Sequence, residues 1–89
     1  MRKDIKKQAS NRLRRIEGQV RGLLKMVEDE KYCVDIITQS LAIRSALSSV
    51  EDLIMKNHLS THVAEQMKGG ESKKAIKEML EVYKLAKKK

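Results

Sequence analysis

An all-α fold is what this sequence predicts, and three observations carry the prediction. Proline is absent, and Tyr32 and Tyr83 are the only aromatic residues. The apolar positions are held by Leu, Ile, Val, Met and Ala among many Lys, Glu and Arg, a mixture that favours helix over sheet. Residues 23–68 form an unbroken run without Gly or Pro.

The first helix is legible from its spacing. Ala9, Leu13, Ile16, Val20, Leu23 and Val27 recur at steps of four and three, a seam of the coiled-coil type. Ile5 extends the seam upstream, and Asp4 is the expected cap. Gly18 and Gly22 lie inside this helix, where each costs about 1 kcal/mol relative to Ala. Close approach of another helix is the expected reason for them. The charged stretch Glu28-Asp29-Glu30-Lys31 contains no breaker, so a turn at 28–32 is inferred from the fading of the seam. The second helix is expected from near Cys33 to about Met67. Its apolar face (Ile36, Ile37, Leu41, Ile43, Leu47, Val50, Leu53, Ile54) is broader, and its middle is rich in small residues: Ala42, Ser45, Ala46, Ser48 and Ser49. Gly69-Gly70 ends it. A third helix begins near Glu71–Ser72 with the stripe Ile76, Leu80, Tyr83 and Ala86, and is expected to fray at Lys87-Lys88-Lys89.

With 89 residues, the chain is read as one domain, residues 1–89. A domain this small buries little apolar surface alone and often relies on a partner or a metal. There is no apolar run of membrane-spanning length, and the charged start Met1-Arg2-Lys3-Asp4 is unlike a signal peptide. A single cysteine argues against a disulfide-stapled secreted domain. The expected compartment is the cytoplasm.

The net charge of +8 is concentrated at one end. Residues 1–25 carry nine basic and two acidic side chains, a balance of +7, and the other 64 carry eleven and ten. A basic segment on a neutral body is the footprint of a polyanion-binding protein. Arg12, Arg14, Arg15 and Arg21 strengthen that reading, because the guanidinium fork suits phosphate and guanine edges.

Cys33, His58 and His62 are the only cysteine and histidines. The two histidines are four apart, so both imidazoles leave one face of a helix. One thiolate with two imidazoles makes a transition-metal donor set that suits Cu(I), with Zn(II), Ni(II) or Cu(II) also able to use it. Within one straight helix, Cys33 and His58 are about 37 Å apart at 1.5 Å per residue. They meet only across two antiparallel chains. The midpoint falls near Ala46, within the small-residue patch, so a twofold axis there pairs Cys33 of one protomer with His58 and His62 of the other. A metal-bound His needs an acceptor for its second ring nitrogen, and Glu78 and Tyr32 are the candidates. Nothing supports catalysis: there is no Ser/His/Asp order, phosphate-cradling Gly loop or oxyanion hole. The chain is read as a non-enzyme.

The run Asn11-Arg12-Leu13-Arg14-Arg15-Ile16-Glu17-Gly18-Gln19-Val20-Arg21-Gly22, then Tyr32-Cys33, then His58-Leu59-Ser60-Thr61-His62, resembles the copper-sensitive operon repressor (CsoR) family over essentially the whole chain. The resemblance implies a three-helix protomer, an antiparallel dimer with a four-helix-bundle core, and a dimer of dimers. It implies double-stranded operator DNA bound by the metal-free protein and released on metal binding. The family's DNA-contacting residues match Arg12 and Arg15, with Arg14 and Gln19 beside them. Its metal ligands match Cys33, His58 and His62, and its coupling residues Tyr32 and Glu78. His62 stands where the commonest copper pattern has Cys, which lowers Cu(I) selectivity. The nickel/cobalt branch shares that His but adds an N-terminal His absent here. The formaldehyde branch's Pro and the persulfide branch's second Cys are also absent. Tyr32 and Glu78 favour copper. The expected function is a Cu(I)-responsive repressor. The alternatives are a nickel/cobalt or broad-specificity sensor, a metal buffer without specific DNA binding, and an architectural helical bundle.

Overall fold

A computed structural model describes residues 1–87. Among them the regular structure is helical throughout: α1 (Lys3–Glu28), α2 (Cys33–His58), a π-helical segment (Leu59–Val63), α3 (Ala64–Lys68) and α4 (Ser72–Lys87). The expected all-α architecture is borne out, with the second of its three rods interrupted by the π segment. Lys88 and Lys89, expected to fray, lie outside the described residues. The chain divides into two compact units, Met1–Met55 and Lys56–Lys89.

In the first unit, Ala9 and Ile16 of α1 meet Ile43 and Val50 of α2, with Leu23, Ala46 and Leu53 packed against them. The seam of α1 therefore splits. Ala9, Ile16 and Leu23, seven apart, turn into this core, whereas Leu13, Val20 and Val27, also seven apart, stay exposed. Alternate positions of a four-three repeat lie on either side of its midline, so one helix can cover only half of the stripe. On α2, Val34, Ile37, Leu41, Leu47 and Ile54 are likewise exposed. The small-residue patch divides too: Ala46 packs toward α1, and Ala42, Ser45 and Ser48 face outward.

The ends of the helices differ from expectation in one case and explain it in another. Arg2, not Asp4, is the N-cap of α1 and makes no side-chain capping bond. Asp4 lies inside the first turn and accepts a bond from Arg2 Nη2 at 3.2 Å. At the other end, the Lys31 amide donates to the Met26 carbonyl and the Glu30 amide to the Val27 carbonyl, both at 3.0 Å. This is a Schellman closure, and its left-handed position is Glu30, at φ 53°. The turn carries no glycine signal because a glutamate occupies the glycine position. The second rod closes in the ordinary way. Gly70 has φ 80°, and the Glu71 amide donates to the Gln66 carbonyl.

Among the described residues, Gly18 and Gly22 meet no neighbouring helix. A Cβ at Gly18 would lie 3.7 Å from Arg21 Nη2, and one at Gly22 would have nothing within 4 Å. Gly22→Ala is therefore expected to stabilise α1 by about 1 kcal/mol, read as a raised midpoint in thermal unfolding. A lowered midpoint would place another molecule against that face.

Candidate metal centre and DNA-binding face

Cys33 is the first residue of α2, and its thiol is free and exposed. Tyr32, just before it, is 71% exposed, and its carbonyl accepts bonds from the Asp35 and Ile36 amides that start the helix. Both side chains are thus presented at a helix start and are not packed in the α1–α2 core. Among the described residues, no three His, Cys, Asp or Glu side chains are gathered to hold a metal within one chain. The expected three-ligand set is therefore not assembled by one copy.

His58 ends α2 and His62 lies in the π segment. Their rings meet edge-on, with centroids 5.4 Å apart and planes at 75°. The histidine pair predicted from spacing is real, although the winding between its members is not the α-helix that the spacing assumed. Glu78 of α4 is the side chain that reaches this pair: its Oε2 is 3.9 Å from His58 Nε2. That distance is too long for a hydrogen bond. It places a carboxylate beside the ring nitrogen, where a metal-bound His needs a supporting acceptor. Ser60 and Thr61, between the histidines, both bond to the Asn57 carbonyl, at 3.1 and 2.7 Å. Sequence reasoning passed over them; their signal was two hydroxyl residues placed between two imidazoles.

The basic residues of α1 sort into two faces. Arg12, Arg15 and Gln19 line one groove with Ala46 and Ser49 of α2. Arg12 is half-buried there, its Nη1 donating to the Ser49 carbonyl at 3.1 Å. Arg15 is exposed and, among the described residues, has neither a hydrogen bond nor an ion pair. Arg14 points elsewhere, donating to Asn11 Oδ1 at 3.1 Å. Arg21 pairs with Glu17 at 2.8 Å on an exposed face, a contact of small energetic weight. The structure therefore joins Arg12, Arg15 and Gln19 and leaves Arg14 outside the group.

A family model described as a metal-sensitive transcriptional repressor matches residues 5–85. The chain belongs to the metal-sensitive transcriptional repressor family. The match runs through both compact units as one stretch. Among curated relatives, the copper-sensing transcriptional repressor CsoR of Bacillus subtilis is 46% identical over 79 residues, covering 89% of this chain and 78% of that protein. The copper-sensing repressor RicR of Mycobacterium tuberculosis is 53% identical over 51 residues, which are 57% of this chain and 53% of that protein. Among solved structures, the copper-sensing repressor CsoR with Cu(I) from Geobacillus thermodenitrificans NG80-2 superposes with a TM-score of 0.91 at 39% identity. It covers 99% of this chain and 92% of that one. The family is one of transcriptional repressors, whose function implies binding of operator DNA. No helix among the described residues is long and apolar enough to cross a membrane.

Proposed function

We propose that this chain is a cytoplasmic, copper(I)-responsive transcriptional repressor that holds operator DNA when metal-free and releases it when metal is bound. The observation that carries the reading is the His58–His62 pair with Glu78 beside it, in a chain that superposes on a Cu(I)-bound repressor. The donor set fits the metal. Two imidazoles are already in contact, and the missing soft ligand matches the exposed thiol of Cys33.

The working unit is an antiparallel dimer, assembled further into a dimer of dimers. The exposed halves of the α1 and α2 stripes supply the apolar surface for this association. In the dimer, Cys33 of one protomer and His58 and His62 of the other hold the metal. Cu(I) supplies a soft centre that one thiolate and two imidazoles can share. Glu78 keeps a carboxylate at the second ring nitrogen of His58, and Tyr32 stands next to the thiol, so both residues register a movement of their ligands. Arg12, Arg15 and Gln19 form the DNA face; they read phosphates and groove shape along α1, with no separate recognition helix. Release requires that the metal bind the DNA-incompetent arrangement more tightly. A tenfold loss of DNA affinity corresponds to about 1.4 kcal/mol of coupling.

A gel-shift series with operator-like and scrambled duplexes, each with Cu(I), Ni(II) or Zn(II) added, tests this reading. Binding to the operator-like duplex alone, abolished on Cu(I) addition, is the expected result. Release with Ni(II) but not Cu(I) would assign the sensor to nickel. Metal uptake without operator preference would leave a buffering protein, and equal binding of both duplexes at every metal concentration would leave an architectural one.

A further inference from the structure

The two histidines of the candidate site are unequally supported. Glu78 Oε2 stands 3.9 Å from His58 Nε2. Among the described residues, His62 has its ring contact with His58 and no hydrogen bond. A metal-bound imidazole donates its second ring N–H to an acceptor, a demand that a thiolate does not make. One oxygen nearby is placed to meet that demand. Gln66 Oε1 is buried and, among the described residues, accepts no hydrogen bond. Buried polar atoms are paired in the great majority of cases, so an orphan of this kind calls for an explanation. Gln66 lies four positions after His62 on the same rod, and side chains so spaced are neighbours. The two line one open hollow with Glu65, Gly69 and Glu71. Glu65 and Glu71 are exposed, so water can satisfy their carboxylates. The backbone that carries Gln66 is fixed by the turn that closes the rod. The Glu71 amide donates to the Gln66 carbonyl at 2.6 Å, and the Gly69 amide to the Glu65 carbonyl at 2.8 Å.

We propose that Gln66 is the positioning residue of His62: its Oε1 accepts the ring N–H that His62 turns away from the metal. The proposal rests on the reading of His62 as a ligand. An oxygen that is unpaired in this structure and paired once His62 is ligated favours the ligated arrangement. The bond also fixes which ring nitrogen of His62 is left to face the metal. The acceptor for His62 is then a neutral amide, whereas the group beside His58 is a carboxylate.

The test uses the full chain and Gln66→Leu, which removes the oxygen and adds no metal ligand. Two quantities are read: the thermal midpoint without metal, and Cu(I) affinity by competition with a chromophoric chelator. The midpoint is expected to hold or to rise, because an unpaired buried polar group gives way to an apolar one. Cu(I) binding is expected to weaken about tenfold, the lower end of the range for a metal-bound His that loses its supporting acceptor. In a His62→Cys background there is no ring N–H to accept, and the same Gln66→Leu change should alter Cu(I) affinity by less than about twofold. An unchanged affinity in the parent background overturns the proposal, and so does an equal loss in both backgrounds. Should leucine's branch lower the midpoint, Gln66→Ala repeats every reading. A midpoint lowered in both variants overturns the proposal as well, because the oxygen would then already hold the fold. A His62→Ala variant that binds Cu(I) as tightly as the parent would overturn the ligand reading itself. Loss of affinity in His62→Ala with none in Gln66→Leu would overturn the Gln66 assignment alone.

Discussion

Cys33→Ala is expected to bind operator DNA as tightly as the parent chain and to remain bound when Cu(I) is added. The first half follows from where the thiol sits. Cys33 opens α2, is exposed, and takes no part in the Ala9–Ile16–Ile43–Val50 core. Alanine is the best helix former, so the substitution leaves α2 and the basic groove intact. The second half follows from the donor count. His58 and His62 are two imidazoles on one rod, and the described residues of a single chain gather no third ligand around them. In the proposed site, loss of the thiol would leave the metal with no soft ligand and no bond from one protomer to the other. Fluorescence anisotropy of a labelled duplex under Cu(I) titration measures both halves. The parent chain should lose at least about tenfold in affinity, equivalent to about 1.4 kcal/mol of coupling, and the variant less than about twofold. A variant that releases DNA at the same copper level would show that Cys33 is not the trigger.

Replacing the two groove arginines should separate a side chain that serves DNA alone from one that is also structural. Arg15→Ala removes an exposed guanidinium that has no partner among the described residues, so the melting temperature should hold while operator binding falls about tenfold or more, the range of a charge-assisted bond. Its salt dependence should flatten by about 0.9 in the log–log slope for each phosphate that is no longer neutralised. Arg12→Ala removes the same charge and also the half-buried bond to the Ser49 carbonyl at 3.1 Å. It should therefore weaken DNA binding and destabilise the α1–α2 pair by about 1 kcal/mol. Anisotropy at several salt concentrations, with thermal unfolding of the same samples, distinguishes the two. An unchanged salt slope in both variants would remove the groove from the DNA face. Equal melting temperatures for the two variants would remove the pinning role of Arg12.

The composition and the four-three spacing were enough to specify the helices, because helix formation is local and its apolar periodicity is written directly in the residues. The stop at Gly69-Gly70 was equally plain, since a left-handed residue there favours glycine and Gly70 supplies it at φ 80°. The stop after Glu28 was legible only as the end of a stripe. Glu30 takes the left-handed position that a glycine usually marks, within a turn closed by its amide bond to the Val27 carbonyl. Asp4 had the right residue type for a cap, but the helix begins two residues too early for it to serve.

Within the candidate site, residue types and spacing pointed to His58 with His62, and to Arg12 with Arg15. Chemistry limits which side chains can be soft ligands or phosphate forks, and this chain offers few of the former. The spacing could not show that a π turn separates the histidines, because residues four apart share a face whether or not the winding widens between them. Nor could it show that Arg12 is pinned by a backbone oxygen 37 residues away while Arg15, among the described residues, has no hydrogen bond or ion pair. The sequence by itself determined the helical class, the basic first helix and which side chains are chemically able to be soft donors, all of which depend on residue chemistry and short-range periodicity. Only the tertiary structure decided which half of each apolar stripe turns inward, which arginine is tied down and how the two imidazoles face each other. These depend on packing and hydrogen bonds whose partners and geometry no local pattern records.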